Sequence, residues 1–313
     1  MVAPDGSVIT VTLGNQRLLT DVQADQLVNA LLGDALTSSA AQAFVSARAQ
    51  VLSTRGGGGY VGRSSGDGDG PIGVWLNASG VRLDDNRLGR DQKGWARSLG
   101  GGVDYSSARA AIGAFAAWSD LDMSGGARSA HESAGWTGGL YGALEMTSQV
   151  SLIGVLGQAR SEVENRRTFG ALSSVGETDR KQTFASVSVE GYVQASERWV
   201  LAPSTSLFVS KSTTDAYRDT AGRTVAAHKN GLSFMRVGTA AYYRATGMTP
   251  YVSASWDHYL SDEAGMDGDF ARLGAGVAID ITPRSYLSLG ASTTVGKKDE
   301  RETTFGVVVG RRF

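Results

Sequence analysis

The pair Asp257-His258 is the most catalytic-looking feature of the chain. A carboxylate beside an imidazole can fix the ring's tautomer and let it act as a general base, as hydrolases using an acid, a histidine and a serine require. Histidine is scarce, however: His131, His228 and His258 are the whole set. The first two fall in or beside stretches that read as outer loops. Adjacent residues of a strand also point to opposite faces, so Asp257 and His258 would not meet one substrate. His258 would share the outward face with Trp256, and no catalytic residue is expected. Two further patterns point to ligands and fall short. The Asp67-Gly68-Asp69-Gly70 stretch has calcium-loop spacing without the later ligands or the closing glutamate. Gly56–Gly59 lacks the Lys-Ser/Thr of a phosphate loop. Neither a metal nor a cofactor is expected.

The elements that must carry these residues are strands. The last ten residues, TFGVVVGRRF, alternate with a period of two. Phe305, Val307, Val309, Arg311 and Phe313 fall on one face, and Thr304, Gly306, Val308, Gly310 and Arg312 on the other. An apolar face opposite a glycine-rich face, closed by a terminal aromatic, fits a strand between lipid and a lumen. No apolar run of about 18 residues is present, so no transmembrane helix is available. A slightly hydrophilic average does not exclude a barrel, because only alternate strand residues need be apolar. With 42 glycines and 5 prolines, the composition suits long strands with close-packed inner faces. The absence of cysteine fits a chain that crosses an oxidising periplasm unfolded. A formal charge of −1, with scattered basic residues and no basic patch, gives no hint of nucleic-acid binding, and no nucleic-acid partner is expected.

Twelve strands are expected, near 72–81, 93–105, 109–120, 132–147, 150–162, 180–195, 198–212, 230–245, 249–260, 269–281, 285–296 and 302–313. Their connections alternate between tight turns (SSAR, TSQ, SER, TGM, TPRS) and longer polar stretches, such as those near 161–180 and 212–229. That asymmetry is expected of an outer-membrane barrel, with short turns on the periplasmic side. Trp75, Trp95, Trp118, Trp199 and Trp256 lie mostly near strand ends, where an interfacial girdle would place them. Upstream, residues 1–20 carry a short β-like run. Residues 21–55 read as a slim, Ala- and Ser-rich helix with Asp21 as N-cap. Residues 56–71 form a Gly-rich linker before a barrel over 72–313. The first residues show no signal peptide, so a mature form or a C-terminal piece of a larger precursor is expected.

Parity assigns the charges. Glu145, Glu190, Asp257 and Asp280 point into the lumen, as do Arg236, Arg244 and Arg272. Facing lipid at the midplane would cost each cation about 2–4 kcal/mol. The strand at 93–105 is less clean, because Arg97 shares a face with Trp95 and Leu99, and 150–162 is ambiguous.

From residue 21 onward this order resembles the translocator unit of classical autotransporters, the type V secretion systems. The AAQAFVSARAQVL helix, the strand count and the terminal GVVVGRRF carry the resemblance. It implies an all-β fold, a twelve-stranded antiparallel transmembrane β-barrel with an N-terminal α-helix in the pore, in the bacterial outer membrane. It implies a passenger upstream, outer-membrane lipid around the wall and a plug formed by the helix, with Phe44 and Arg48 on it and Arg48 pairing with lumen charges. It further implies that Phe305, Val307, Val309 and Phe313 are read by the barrel-assembly machinery. Some members cleave their own helix by asparagine cyclisation, and Asn29 is the candidate position for it. A passive porin, or an adhesin acting through the outer loops, are the alternatives.

Overall fold

The computed structural model describes residues 71–85, 92–107, 109–125, 129–169, 172–261, 269–282, 284–297 and 300–313. The expectations for residues 1–55, including Asn29, Phe44 and Arg48, and for most of the linker, lie outside these residues.

The strands are β1 (Ile72–Asp85), β2 (Gln92–Ser106), β3 (Ala110–Gly125), β4 (Ser129–Thr147), β5 (Val150–Phe169), β6 (Leu172–Gly191), β7 (Val193–Gln194), β8 (Trp199–Thr214), β9 (Tyr217–Arg218), β10 (Thr224–Val225), β11 (His228–Tyr243), β12 (Met248–Tyr259), β13 (Asp269–Thr282), β14 (Ser285–Val295) and β15 (Glu300–Arg312). Twelve of them close a barrel in the order β1-β2-β3-β4-β5-β6-β8-β11-β12-β13-β14-β15, each antiparallel to its neighbours. The ring shuts where β15 meets β1, from Gly73↔Arg312 to Asp85↔Glu300. The short β7 pairs with β8 just past the end of β6. The pair β9–β10 is a small hairpin in the connection between β8 and β11.

The wall follows from alternation. In β3 the odd residues Phe115, Ala117, Leu121 and Met123 are buried, while Ile112, Trp118 and Asp122 are exposed. With no water in the hydrocarbon layer, the backbone must be satisfied within the wall, and closure leaves no free edge. Inside, large rings lie over glycines of adjoining strands. A Cβ on Gly113 would stand 2.4 Å from the Tyr141 ring, and one on Gly310 2.3 Å from Tyr286. The glycine-rich inner face is thus what lets aromatics lie flat against the wall.

Tight turns hold one end. Ser107 N–H donates to the Ala110 carbonyl at 2.7 Å. Gly247 takes a φ of 74° in the turn before β12, a conformation that favours glycine. At the other end β5 and β6 each run for 20 residues, about twice what crosses a bilayer. The stretch 161–180, expected as a long loop, is therefore mostly a continuous hairpin. Its period of two persists, with Val163 inside and Glu162 and Glu164 outside, but above the membrane both faces can be polar. Apolar alternation fades there while the ladder continues. Similarly, His131 lies within β4 rather than in a loop, buried and bonded through Nδ1 to Asn165 at 2.7 Å.

Candidate functional site: the charged lumen wall

The inner face of β11–β15 carries a chain of charge. Asp257 on β12 is 1% exposed and accepts two hydrogen bonds from Arg236 on β11, from Nε and Nη2, each at 2.7 Å. This forked geometry suits guanidinium and carboxylate planes. Arg272 on β13 approaches the same carboxylate, with Nε 3.7 Å from Oδ2. Its other face donates to Glu302 on β15, Nη1 to Oε1 at 3.0 Å and Nη2 to Oε2 at 3.4 Å. Thr304 donates to the same Oε1 at 3.4 Å. Two arginines and two carboxylates thus alternate across the wall. Beside them a cavity of about 280 Å³ is bounded by Ser188, Ser204, Ser206, Ser253 and Ser255. Small hydroxyls keep this side of the lumen wide and hydrogen-bonding, and the charge chain makes it polar without a net sign.

Of the residues that parity points inward, the structure brings together Arg236, Asp257 and Arg272. Glu190 lies farther along the same serine-lined cavity and accepts a hydrogen bond from the Tyr192 hydroxyl. Glu145 stands apart, half-buried near a tight turn and opposite Ser151. Asp280 is half-buried opposite Tyr286, and Arg244 is half-buried just beyond β11. Glu302 completes the cluster and was missed. The alternation that puts Thr304 and Val308 inside also puts Glu302 inside, so the signal was present in the last strand.

A second inner network sits toward the tight-turn end. Trp75 donates from Nε1 to the Tyr141 hydroxyl at 2.8 Å, and that hydroxyl donates to Asp104 at 3.1 Å. Arg312 places Nη2 3.8 Å from Asp104. Trp75 is 5% exposed and so does not belong to the girdle expected of it. It occupies an odd position of β1, and the odd face of that strand is the inner one. Trp95, Trp118, Trp199 and Trp256 are exposed on the outside, and Trp136 joins them at 67% exposure. Phe305, Val307 and Val309 are likewise exposed on the outer face. Phe313 donates its N–H to the Ile72 carbonyl at 2.9 Å.

Asp257 and His258 lie on opposite faces of β12. His258 stacks on Trp256 outside, with centroids 5.4 Å apart and planes at 14°, and its Nδ1 meets Asp269 at 2.6 Å. Arg97 also faces outward, above the apolar band, within 4.0 Å of Asp120. In 150–162 the odd residues are the inner ones, with Ser151, Ile153 and Val155 buried. At the mouth, the β9–β10 hairpin folds against β6, where Gly176 leaves room for the Tyr217 ring. Burial pushes the Asp219 carboxyl up, but hydrogen bonds from the Arg223 N–H and guanidinium outweigh this and hold it below the usual carboxylate range.

The sequence model of the autotransporter β-domain matches residues 74–305. The translocator domain of the autotransporter NalP from Neisseria meningitidis superposes with a TM-score of 0.75 at 13% identity, covering 94% of this chain and all of that one. The β domain of the Bordetella autotransporter BrkA gives 0.68 at 18% identity, covering 78% of this chain and all of that one. The transport unit of AIDA-I from Escherichia coli gives 0.60 at 13% identity, covering 77% and 90%. At these identities the likeness is one of fold. No curated protein sequence matches the chain.

Proposed function

Because the chain belongs to the autotransporter β-domain family, we propose that it exports a passenger joined to its N-terminal side and then keeps its own residues 21–55 in the lumen as a plug. It is a translocator barrel of the bacterial outer membrane. The observation that supports the finer reading is the lumen wall itself. A wide, serine-lined face with an internally neutralised charge chain offers hydrogen bonds to a passing or resting polypeptide without trapping either sign of charge. The Ala- and Ser-rich composition of residues 33–49 suits a narrow helix against such a wall. On this reading the role of the wall is transport and anchoring. Assembly through recognition of Phe305, Val307, Val309 and Phe313 by the barrel-assembly machinery belongs to the same reading. So does pairing of Arg48 with Asp257 or Glu302. Cleavage at Asn29 is a further reaction open to the same family, with Glu145 or Glu190 as its candidate base.

Conductance of single barrels in a planar bilayer tests the plug. The full chain is expected to give a small, mostly closed conductance, and a chain lacking residues 1–56 a stable, several-fold larger one. A large open conductance with the N-terminal segment in place would favour a passive porin and sink the plug.

A further inference from the structure

The outer face of the barrel is layered above the apolar band. Trp118 and Trp136 stand opposite each other across β3 and β4. Their lateral row continues through Arg160 on β5, Lys181 on β6, Thr213 on β8 and Lys229 on β11. Lys211 sits one row below, between Thr183 and Gly231. All four cations are exposed, and none makes an ion pair or side-chain hydrogen bond with a described residue. Other outward arginines near that height have partners: Arg82 with Asp84 at 3.2 Å, Arg166 with Glu164 at 2.8 Å. Arg160 and Lys181 face each other directly, a like-charge relation that destabilises a strand pair. Four neighbouring cations outside any ion pair with a described residue, beside aromatics at the edge of the lipid-facing band, present an anion-binding face to the membrane surface.

We propose that Arg160, Lys181, Lys211 and Lys229 form a docking site for the phosphorylated headgroup of an outer-leaflet glycolipid. Three features select this occupant. The patch lies at headgroup height, because Leu156, Ala185 and Val209 occupy the outer face two rows below Arg160 and Lys181 and one row below Lys211. Its width is three strand spacings, about 14 Å, which suits a headgroup with more than one phosphate rather than a single ion. On the side away from the membrane it is flanked by Glu162 and Asp179, directly opposed, and then by Glu164 and Glu177. These carboxylates repel a phosphate approaching from solution but not one already held in the leaflet. Each cation near an anionic lipid surface contributes on the order of fivefold in affinity.

The test uses the full chain folded in neutral detergent, with bound lipid counted by native mass spectrometry. The probes are a bisphosphorylated disaccharide glycolipid of the lipid A class, its dephosphorylated form, and inorganic phosphate as competitor. The unaltered protein should retain the bisphosphorylated form at least about tenfold more tightly, with no displacement by millimolar phosphate. The combined variant Arg160→Ser, Lys181→Ser, Lys211→Ser, Lys229→Ser should lose that preference, while Arg301→Ser on β15 should keep it. If the combined variant does not fold, Lys181→Gln with Lys211→Gln should lose most of the preference. Equal retention of both lipids, or a preference surviving in a folded variant, overturns the proposal. Displacement by inorganic phosphate overturns it too, by making the ligand a soluble anion.

Discussion

Asp257 is held by two arginines at once and nearly out of contact with solvent. Replacing it with asparagine keeps the shape and removes the charge, leaving Arg236 and Arg272 facing each other. Breaking a buried pair from one side costs about 3–5 kcal/mol, and the wet lumen places Asp257→Asn near the lower end. Chemical denaturation of the lipid-reconstituted barrel reads this as a lowered midpoint. Glu145→Gln is the comparison, with a change within about 0.5 kcal/mol, since Glu145 makes no side-chain bond with a described residue. A midpoint unmoved by Asp257→Asn would show that the charge chain contributes nothing net. Most residues of this chain could be assigned to a face from spacing, because alternation is forced by the strand. Which inward charges would meet could not be. Asp257 and Glu302 are joined through Arg272 although they lie on β12 and β15, and that depends on strand tilt and stagger, which no local pattern carries.

At the scale of strands, the glycines do work that composition only hinted at. Gly113 and Gly138 lie on adjacent strands but on opposite faces. A Cβ on Gly113 enters the Tyr141 ring, which Trp75 and Asp104 hold in place. A Cβ on Gly138 meets only a backbone oxygen at 3.6 Å. Gly113→Ala is expected to destabilise the barrel by about 1–3 kcal/mol through overpacking, and Gly138→Ala to be nearly neutral. Thermal unfolding of the two variants side by side separates them, and equal effects would remove the ring-over-glycine account. Strand boundaries at the tight-turn end were legible, since SSAR, TGM and TPRS are short and sit between apolar runs. At the other end they were not. Beyond the lipid, Glu162, Glu164, Glu177 and Asp179 continue a ladder whose two faces are both polar, and such a stretch reads like a loop.

For the molecule as a whole, the decisive contact is between β1 and β15. Asn77 and Val308 are paired across that seam and both are buried inside. The chain has no cysteine, so Asn77→Cys with Val308→Cys introduces a single unique pair at strand-neighbour distance. Oxidation should link the pair in the closed barrel and leave it unlinked in the denatured chain, read as a mobility difference on a non-reducing gel. Failure to link in the folded protein would mean that the ring is not shut as described. The closed count of twelve was legible from the alternation of turns and the terminal strand.

That seam also sets an order in time. Every other ladder of the ring joins strands that follow one another closely along the chain, whereas this one joins residue 73 to residue 312. The loop-closure entropy of such a contact is the largest the chain must meet, and distant pairings form slowly. Until β15 arrives, β1 presents a bare edge, which is a template for pairing with other chains. The earliest strand to emerge is thus the last to be completed, and any partner that escorts this barrel has one moment to act, between the appearance of that edge and the arrival of Phe313.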